Sequence, residues 1–433
     1  MVAPTVVWYL ALAVGILVSL ATLFALARPD GRWGELARKR LVLGVPWGTL
    51  IVVAFVAGFY LFIQDGLRNP HNPVVIPFRA WGYFYPTGIL TAGFAHSGVG
   101  HVTGNLLGTL VFGSLAEYAW SHFPRERGSS SFAALRCNPF ARILTWILGV
   151  FVVAVGTSLF ALGPVVGFSG VVFAFVGFAL IRYPLSTLVA VLVSGVVTVV
   201  YNALRSPTLQ QTAGESFSRP WWANIAIQGH ALGLFVGVAL AIALCHRRNV
   251  RPNPAHLWLA ALVFAVDRGL WAVYVIEGSE TFRLFRALGT ALVFLLAALI
   301  ASGGAASGRE LIARIDLSRR EAAYGLVVAL LCALAIVAVP FNLFVVDDAS
   351  AGLDNAEPTE IEDYTVFYAE DVENQFIPAL PLPGGNTTDR VNASGVIVVS
   401  EERNIWWEEL STSRLESRRE ATVRLGGLTG NED

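Results

Sequence analysis

Apolar runs close to the length that crosses a membrane recur along this 433-residue chain, and ten can be distinguished. A run of about 18 or more apolar residues can span the hydrocarbon core of a bilayer as a single helix. The composition agrees, because 55% of the residues are apolar and only 14% are charged, which is too hydrophobic for a soluble globular protein. The sequence therefore predicts an all-α polytopic membrane protein.

The positions of the arginines predict how this protein is oriented in the membrane. The ten predicted spans cover residues 6–27, 41–63, 96–119, 143–162, 167–181, 185–204, 222–245, 255–276, 284–301 and 323–346. Arginines concentrate in the loops after the third, seventh and ninth spans, and the positive-inside rule places such loops in the cytoplasm. We therefore expect a multi-pass protein of the cell membrane with its N-terminus and its C-terminal tail on the exterior side.

The composition changes after the last predicted span. Residues 347–433 hold nineteen Asp and Glu residues against six Arg, so this acidic exterior tail is either a small domain or largely disordered. Asn386 and Asn392 each begin an N-glycosylation acceptor pattern. Four segments are thus predicted: an extra N-terminal helix with a basic cytoplasmic loop (1–40), six spans (41–246), three additional spans (247–346) and the tail (347–433).

Polar side chains inside the predicted spans require a reason, because burying them in lipid is costly. Counted along the helices from their cytoplasmic ends, Ser169, Asn105 and His230 lie roughly 20, 22 and 24 Å up, and His101 lies roughly 28 Å up. All four share the outer third of a hydrocarbon core about 30 Å thick. Groups at one depth can react together, which makes these four a candidate site.

The chemistry that suits these groups is acyl transfer. A serine becomes a nucleophile when a neighbouring base takes its proton, and a neutral imidazole suits that role near neutral pH. His101 and Asn105, four residues apart on one helix face, could stabilise the negative oxygen of a tetrahedral intermediate. Close packing is the competing interpretation, since a serine among glycines in a membrane helix most often packs against a neighbouring helix.

Three motifs in residues 41–245 resemble those of the rhomboid family of intramembrane serine proteases. Gly167-Phe168-Ser169-Gly170 is similar to the nucleophile motif of its fourth core helix. His96, His101 and Asn105 match a pattern of its second core helix. His230, followed by Gly233, is similar to the base-bearing sixth helix.

The resemblance implies a six-helix rhomboid-like core with one extra N-terminal and three extra C-terminal transmembrane helices. It implies Ser169 as nucleophile, His230 as general base, and His101, Asn105 and the Ser169 backbone N–H as oxyanion hole. It also implies that His96, Gly167, Gly170, Phe173 and Gly233 are structural residues near the site. The expected substrates are transmembrane proteins in the lipid bilayer, cut near the outer face, with no metal, no cofactor and no nucleic-acid partner. No oligomeric state is implied.

Two departures from the family pattern stand out. Phe173 occupies a position where many members have a tyrosine packed on the catalytic histidine, so the ring is kept and the hydroxyl is lost. The Trp-Arg pair common in the first exterior loop is absent as such, although Arg79 and Trp81 lie nearby.

Other functions remain open at this stage. A catalytically inactive rhomboid-like protein that binds membrane clients is one alternative, although such relatives usually lack the serine or the histidine. A transporter is less favoured, because no internal repeat is evident. Adjacent Asp267 and Arg268 fall inside the eighth predicted span, and since consecutive helix positions do not face each other, we expect each to pair elsewhere in a structural or assembly role.

Overall fold

The structure is a computed structural model. It describes residues 4–27, 33–124, 128–132, 134–208, 226–277, 281–312, 317–343, 346, 352–353, 357–375, 392–412, 415–416, 422–427 and 430–432. The α-helices of these residues are α1 (Pro4–Ala27), α2 (Trp33–Arg40), α3 (Trp47–Gly58), α4 (Pro86–Ala92), α5 (Val99–Gly108), α6 (Ser114–Trp120), α7 (Pro139–Leu159), α8 (Ser169–Arg182), α9 (Pro184–Arg205), α10 (Ile227–Arg247), α11 (Pro254–Asp267), α12 (Arg286–Ala305) and α13 (Arg319–Asn342). A π-turn over Phe59–Ile63 extends α3, and another over Thr109–Gly113 joins α5 to α6.

The helices of the described residues confirm a polytopic membrane protein. Six are long and apolar enough to cross a membrane: Val99–Trp120, Pro139–Leu159, Pro184–Arg205, Ile227–Arg247, Arg286–Ala305 and Arg319–Asn342. Shorter apolar helices occupy Val6–Thr22, Trp47–Ile63, Ser169–Arg182 and Pro254–Asp267. Each of these helices overlaps one of the ten predicted spans.

Several helices begin where the sequence supplies a cap. The side chain of Asn138 accepts hydrogen bonds from the backbone N–H groups of Phe140 and Ala141 at the start of α7. Asn253 has the same role at α11, and Ser318 with Glu321 forms a capping box at α13. Such side chains satisfy N–H groups that have no partner within the helix.

The eighth predicted span was too long. Helix α11 ends at Asp267, Gly269 takes a φ of +69°, and the chain then forms an antiparallel hairpin of β1 (Tyr274–Glu277) and β2 (Thr281–Leu284). The expectation that Asp267 and Arg268 pair elsewhere was also wrong in part. Arg268 is the residue that caps α11, outside the helix, and its Nε lies 3.0 Å from Oδ2 of Asp267.

Helix α8 lies at the centre of the helical core, with most of its residues buried. Its glycines allow α10 to approach closely: a Cβ on Gly233 would lie 2.0 Å from the carbonyl oxygen of Gly170, and one on Gly237 would lie 1.9 Å from that of Ala174. Any side chain at these positions would force the helices apart. Gly170 and Gly233, two of the glycines predicted to be structural, lie at this close approach.

Arginines cluster at the end of the core that is distant from Ser169, and we call this the arginine end (Arg40, Arg142, Arg182 and Arg248). Arg142 and Arg248 donate to the backbone carbonyl of Trp120 at 3.0 and 2.6 Å. Arg40 donates to that of Tyr118. Arg182 ends α8, the helix that begins with Ser169.

Glu117 is fully buried near this end and caps α3. Its carboxylate accepts hydrogen bonds from the backbone N–H groups of Gly48 and Thr49 at 2.8 and 2.7 Å. It also contacts Nε2 of His122 at 2.7 Å. The structure thus gives Glu117 a helix-end role.

The tail contains a four-stranded antiparallel sheet in the order β5-β6-β7-β8, which we call the tail sheet. Its strands are β5 (Thr359–Ile361), β6 (Tyr364–Glu373), β7 (Asn392–Ser400) and β8 (Ile405–Ser411). Short hairpins elsewhere pair β3 (Glu310–Ile312) with β4 (Leu317–Ser318) and β9 (Leu425–Gly427) with β10 (Gly430–Glu432). The structure therefore favours a small folded unit over a largely disordered tail. Asn392 begins β7, and Asn386 lies outside the described residues.

The tail sheet packs on the long loop between α3 and α4. Trp81 and Ile76 of that loop are buried in one cluster with Tyr364, Val398 and Ile405 of the sheet. The sheet consequently covers a loop that leads directly into the helices of the candidate site.

Candidate active site

Ser169 is the first residue of α8, and the chain before it makes a tight approach to α5. Gly167 has a φ of +128°, and its N–H donates to the carbonyl oxygen of Ala92 at 2.8 Å. Phe168 is fully buried and anchors the turn. This backbone path leaves the Ser169 side chain partly exposed at the end of a buried helix.

His230 meets Ser169 from the first turns of α10. Its Nε2 lies 2.9 Å from Oγ of Ser169, within hydrogen-bonding distance. The close contact between Gly170 and Gly233 brings the two helices near enough for this bond. Nδ1 of His230 is buried and has no hydrogen-bond partner among the described residues. Ser169 and His230 therefore form a pair, and no carboxylate of the described residues contacts the second ring nitrogen.

Two phenylalanines support the His230 ring. Phe173 stacks on it with ring centroids 4.2 Å apart and planes 10° apart. Phe264 of α11 contacts the edge of Phe173, with centroids 5.4 Å apart at 65°, and is only 2% exposed. Phe264 was not predicted as a site residue, because sequence spacing does not show which helix packs behind α8.

His101 and Asn105 converge on Gly167 from α5. A Cβ on Gly167 would lie 2.7 Å from Nε2 of His101 and 3.7 Å from Nδ2 of Asn105. Nδ1 of His101 lies 3.1 Å from Oγ of Ser97. If that hydroxyl donates, the ring proton sits on Nε2, the nitrogen that faces Gly167. Ser97 is a further site residue that the sequence did not reveal.

His96 is completely buried and holds several parts of the site together. Its Nδ1 lies 3.1 Å from the carbonyl oxygen of Phe94, so Nδ1 carries the proton and Nε2 accepts. Nε2 contacts Nδ2 of Asn105 at 3.0 Å and the N–H of Phe168 at 3.4 Å. The backbone of His96 bonds to Gln64 of the loop. His96 thus connects the loop, α5 and the turn before Ser169.

The loop between α7 and α8 is held by two amide side chains that the sequence reasoning missed. Gln228 donates to the carbonyl oxygens of Phe160 and of Leu334 in α13, and it accepts from the N–H of Leu162. Asn342, at the end of α13, donates to the carbonyl oxygens of Leu159 and Ala161. Helix α13 thus fixes the path that leads to Ser169.

A comparison with protein-family models adds evidence from outside the chain. Residues 83–247 match the model of the Rhomboid domain. The chain is therefore similar to the rhomboid family over 165 of its 433 residues. Neither the curated proteins nor the solved structures gave a match.

The matched rhomboid region runs from the end of the loop that precedes α4 to the last residue of α10. It contains every residue predicted for the site, from His96 to Gly233. Helices α1 to α3, helices α11 to α13 and the tail sheet lie outside it. The contacts made by Phe264 and Asn342 therefore join the rhomboid domain to parts of the chain that the family model does not describe.

Proposed function

We propose that this protein is an intramembrane serine endopeptidase that cleaves transmembrane helices by a dyad of Ser169 and His230. The observation that carries the proposal is the distance of 2.9 Å between Nε2 of His230 and Oγ of Ser169. A base within hydrogen-bonding reach of a serine is the requirement for this type of nucleophile.

The proposed reaction proceeds in two halves. Oγ of Ser169 attacks the scissile carbonyl carbon while its proton passes to Nε2 of His230, and a C–O bond and an oxyanion form. Collapse of this intermediate breaks the C–N bond, and the imidazolium returns the proton to the leaving amine. Water, deprotonated by the same nitrogen, then hydrolyses the acyl-enzyme and releases Ser169 and the carboxylate product.

The groups around Gly167 are placed to stabilise the oxyanion. Nε2–H of His101 and the backbone N–H of Ser169 are candidate donors, and one N–H of Asn105 remains after its bond to His96. One such donor typically contributes ~3 kcal/mol to the transition state. The short loop at Gly167 lets these donors approach the nucleophile.

The arginine end sets the proposed orientation in the membrane. It faces the cytoplasm by the positive-inside rule, so the dyad, the N-terminus and the tail sheet belong to the exterior side. A substrate helix enters from the bilayer and unwinds near the outer face, because a peptide bond within a helix is already hydrogen-bonded and shielded. The core of 41–246, the helical extension of 247–346 and the tail of 347–433 are proposed as separate units.

Cleavage of a co-expressed single-span reporter tests the dyad. Ser169→Ala and His230→Ala should each reduce cleavage by at least about 10⁴-fold, and a serine-directed fluorophosphonate should label the parent chain but not Ser169→Ala. Ser186→Ala and His256→Ala serve as controls, since both side chains are exposed and distant in sequence from the motifs. Equal cleavage by Ser169→Ala would exclude the mechanism. An uncleaved reporter that still co-purifies with the parent chain would support the inactive client-binding alternative.

A further inference from the structure

A deep apolar groove runs along the outside of the rhomboid domain, on the face of α8 between α7 and α10. Its cavity has a volume of about 420 Å³ and is lined by side chains such as Val150, Ala174 and Leu240. The lining extends along α10 from Gly237 to Arg247, a length of about 15 Å at the helical rise. Gly149 of α7 lines the groove and has open space where a Cβ would lie.

The end of the groove toward the arginine end is polar and positively charged. Trp120 and the exposed Arg247 line it. Arg142 and Arg248 lie beside it, where they donate to the Trp120 carbonyl. The mouth of the groove therefore combines an apolar channel with several guanidinium groups.

The helices that form the groove supply no carboxylate to neutralise this charge. Helices α7, α8 and α10, which form the groove, contain no Asp or Glu. Glu117, a buried acid of the described residues, is engaged by Gly48, Thr49 and His122. A positive mouth to which its own helices add no counter-charge favours an anionic occupant.

The shape of the groove suits an extended hydrocarbon chain. Its lining is almost entirely apolar and continues for about 15 Å along α10. A molecule that fits both features has a hydrocarbon chain for the groove and a negatively charged group for Arg247.

We propose that the groove between α7 and α10 is a binding site for an anionic phospholipid. One acyl chain lies along Gly149 and Leu240, and the phosphate lies beside Arg247. In the orientation given above, this site opens to the cytoplasmic leaflet, where anionic lipids are attracted by basic residues. The proposal does not depend on the catalytic role of Ser169.

Native mass spectrometry of the purified full chain tests the site. Phosphatidylglycerol and phosphatidylcholine with the same acyl chains are added in equal amounts, and the parent chain should retain phosphatidylglycerol preferentially. Arg247→Gln should lower that preference about fivefold, the factor that corresponds to the ~1 kcal/mol one arginine contributes near anionic lipid. Gly149→Phe should fill the channel and reduce retention of both lipids.

Two matched variants separate the groove from general effects. Gly195→Phe places the same ring on exposed α9, where the glycine also has open space, and Arg136→Gln removes another exposed arginine. Both should bind lipid as the parent does. Equal retention of the two lipids by the parent chain, or unchanged retention by Arg247→Gln and Gly149→Phe, would overturn the proposal. Loss of reporter cleavage in Gly149→Phe with lipid retention intact would show that the groove receives a substrate helix instead.

Discussion

Replacing Gly167 by alanine should remove most activity, because two separate requirements meet at this residue. Its φ of +128° is unfavourable for any side chain. In addition, the new Cβ would lie 2.6 Å from Cε1 and 2.7 Å from Nε2 of His101. A non-bonded contact this short cannot persist, so the His101 ring must turn away and leave Ser97.

The magnitude follows from the donor that is lost. Removal of one oxyanion-hole donor typically lowers kcat by about 10²–10³-fold, and we expect Gly167→Ala to fall in this range. Gly163 provides a matched control in the same loop, because its φ is +79° and a Cβ there would meet nothing within 4 Å. Gly163→Ala therefore has backbone strain of about 1–3 kcal/mol without the clash.

Reporter cleavage and the rate of fluorophosphonate labelling should be measured for both variants in the same detergent. Thermal unfolding of each shows whether the chain is folded at the assay temperature. We expect Gly163→Ala to lose thermal stability but to keep cleavage within a few-fold of the parent. If Gly167→Ala cleaves within threefold of Gly163→Ala, His101 is not an oxyanion donor and this reasoning fails.

Three further predictions concern residues around the site. Phe264→Leu should lower kcat about fivefold with little change in KM, since an aromatic contact of ~1 kcal/mol behind the His230 stack is lost; Val266→Ala, at an exposed position of the same helix, is the control, and equal effects of the two would contradict the claim. Asn342→Ala should lower the free energy of unfolding, measured by denaturant titration, by about 1–3 kcal/mol, because a buried and a part-buried carbonyl oxygen lose their donor. The hydrogen bonds from Arg403 hold the pKa of the Asp363 carboxyl below its ordinary value. This contribution to the stability of the tail sheet is complete above the unfolded pKa near 3.9 and is lost as the pH falls through the lower folded pKa. Tryptophan fluorescence between pH 6 and 2 should show this loss in the parent and not in Asp363→Asn.

The helical part of the fold could be predicted because hydropathy and helix length are local properties. Each of the ten apolar runs contains a helix, and helical rise alone placed Ser169 and His230 at one depth, where the structure brings their side chains together. The error at residues 268–276 has a physical cause. The run Ala272 to Ile276 is as apolar as a helix, and hydropathy does not distinguish a strand from the end of a span.

The contacts of Gln228, Asn342 and Phe264 could not be predicted in the same way. Each of these contacts joins residues that lie more than 60 positions apart in the sequence. They depend on how α11 and α13 pack against the rhomboid domain, which no local pattern records. The tail sheet was left open for a related reason, since its short apolar strands alternate with acidic runs that also suit a disordered segment.

Residues of α11 and of the tail sheet lie at the two places where the sequence departs from the family pattern. Phe173 lacks the tyrosine hydroxyl found in many members, and its ring is instead backed by Phe264 of α11. The loop lacks the usual Trp-Arg pair, and the Arg79 guanidinium lies between Trp81 and Trp407, 5.3 and 5.0 Å from the two ring centroids. Trp407 belongs to the tail sheet. Phe264 of α11 and Trp407 of the tail sheet thus contact the positions where the tyrosine hydroxyl and the Trp-Arg pair are missing. We infer that α11 and the tail sheet support the geometry of the candidate site. A chain that lacks α11 and the tail sheet should therefore hold His230 and the loop less firmly than the full chain does.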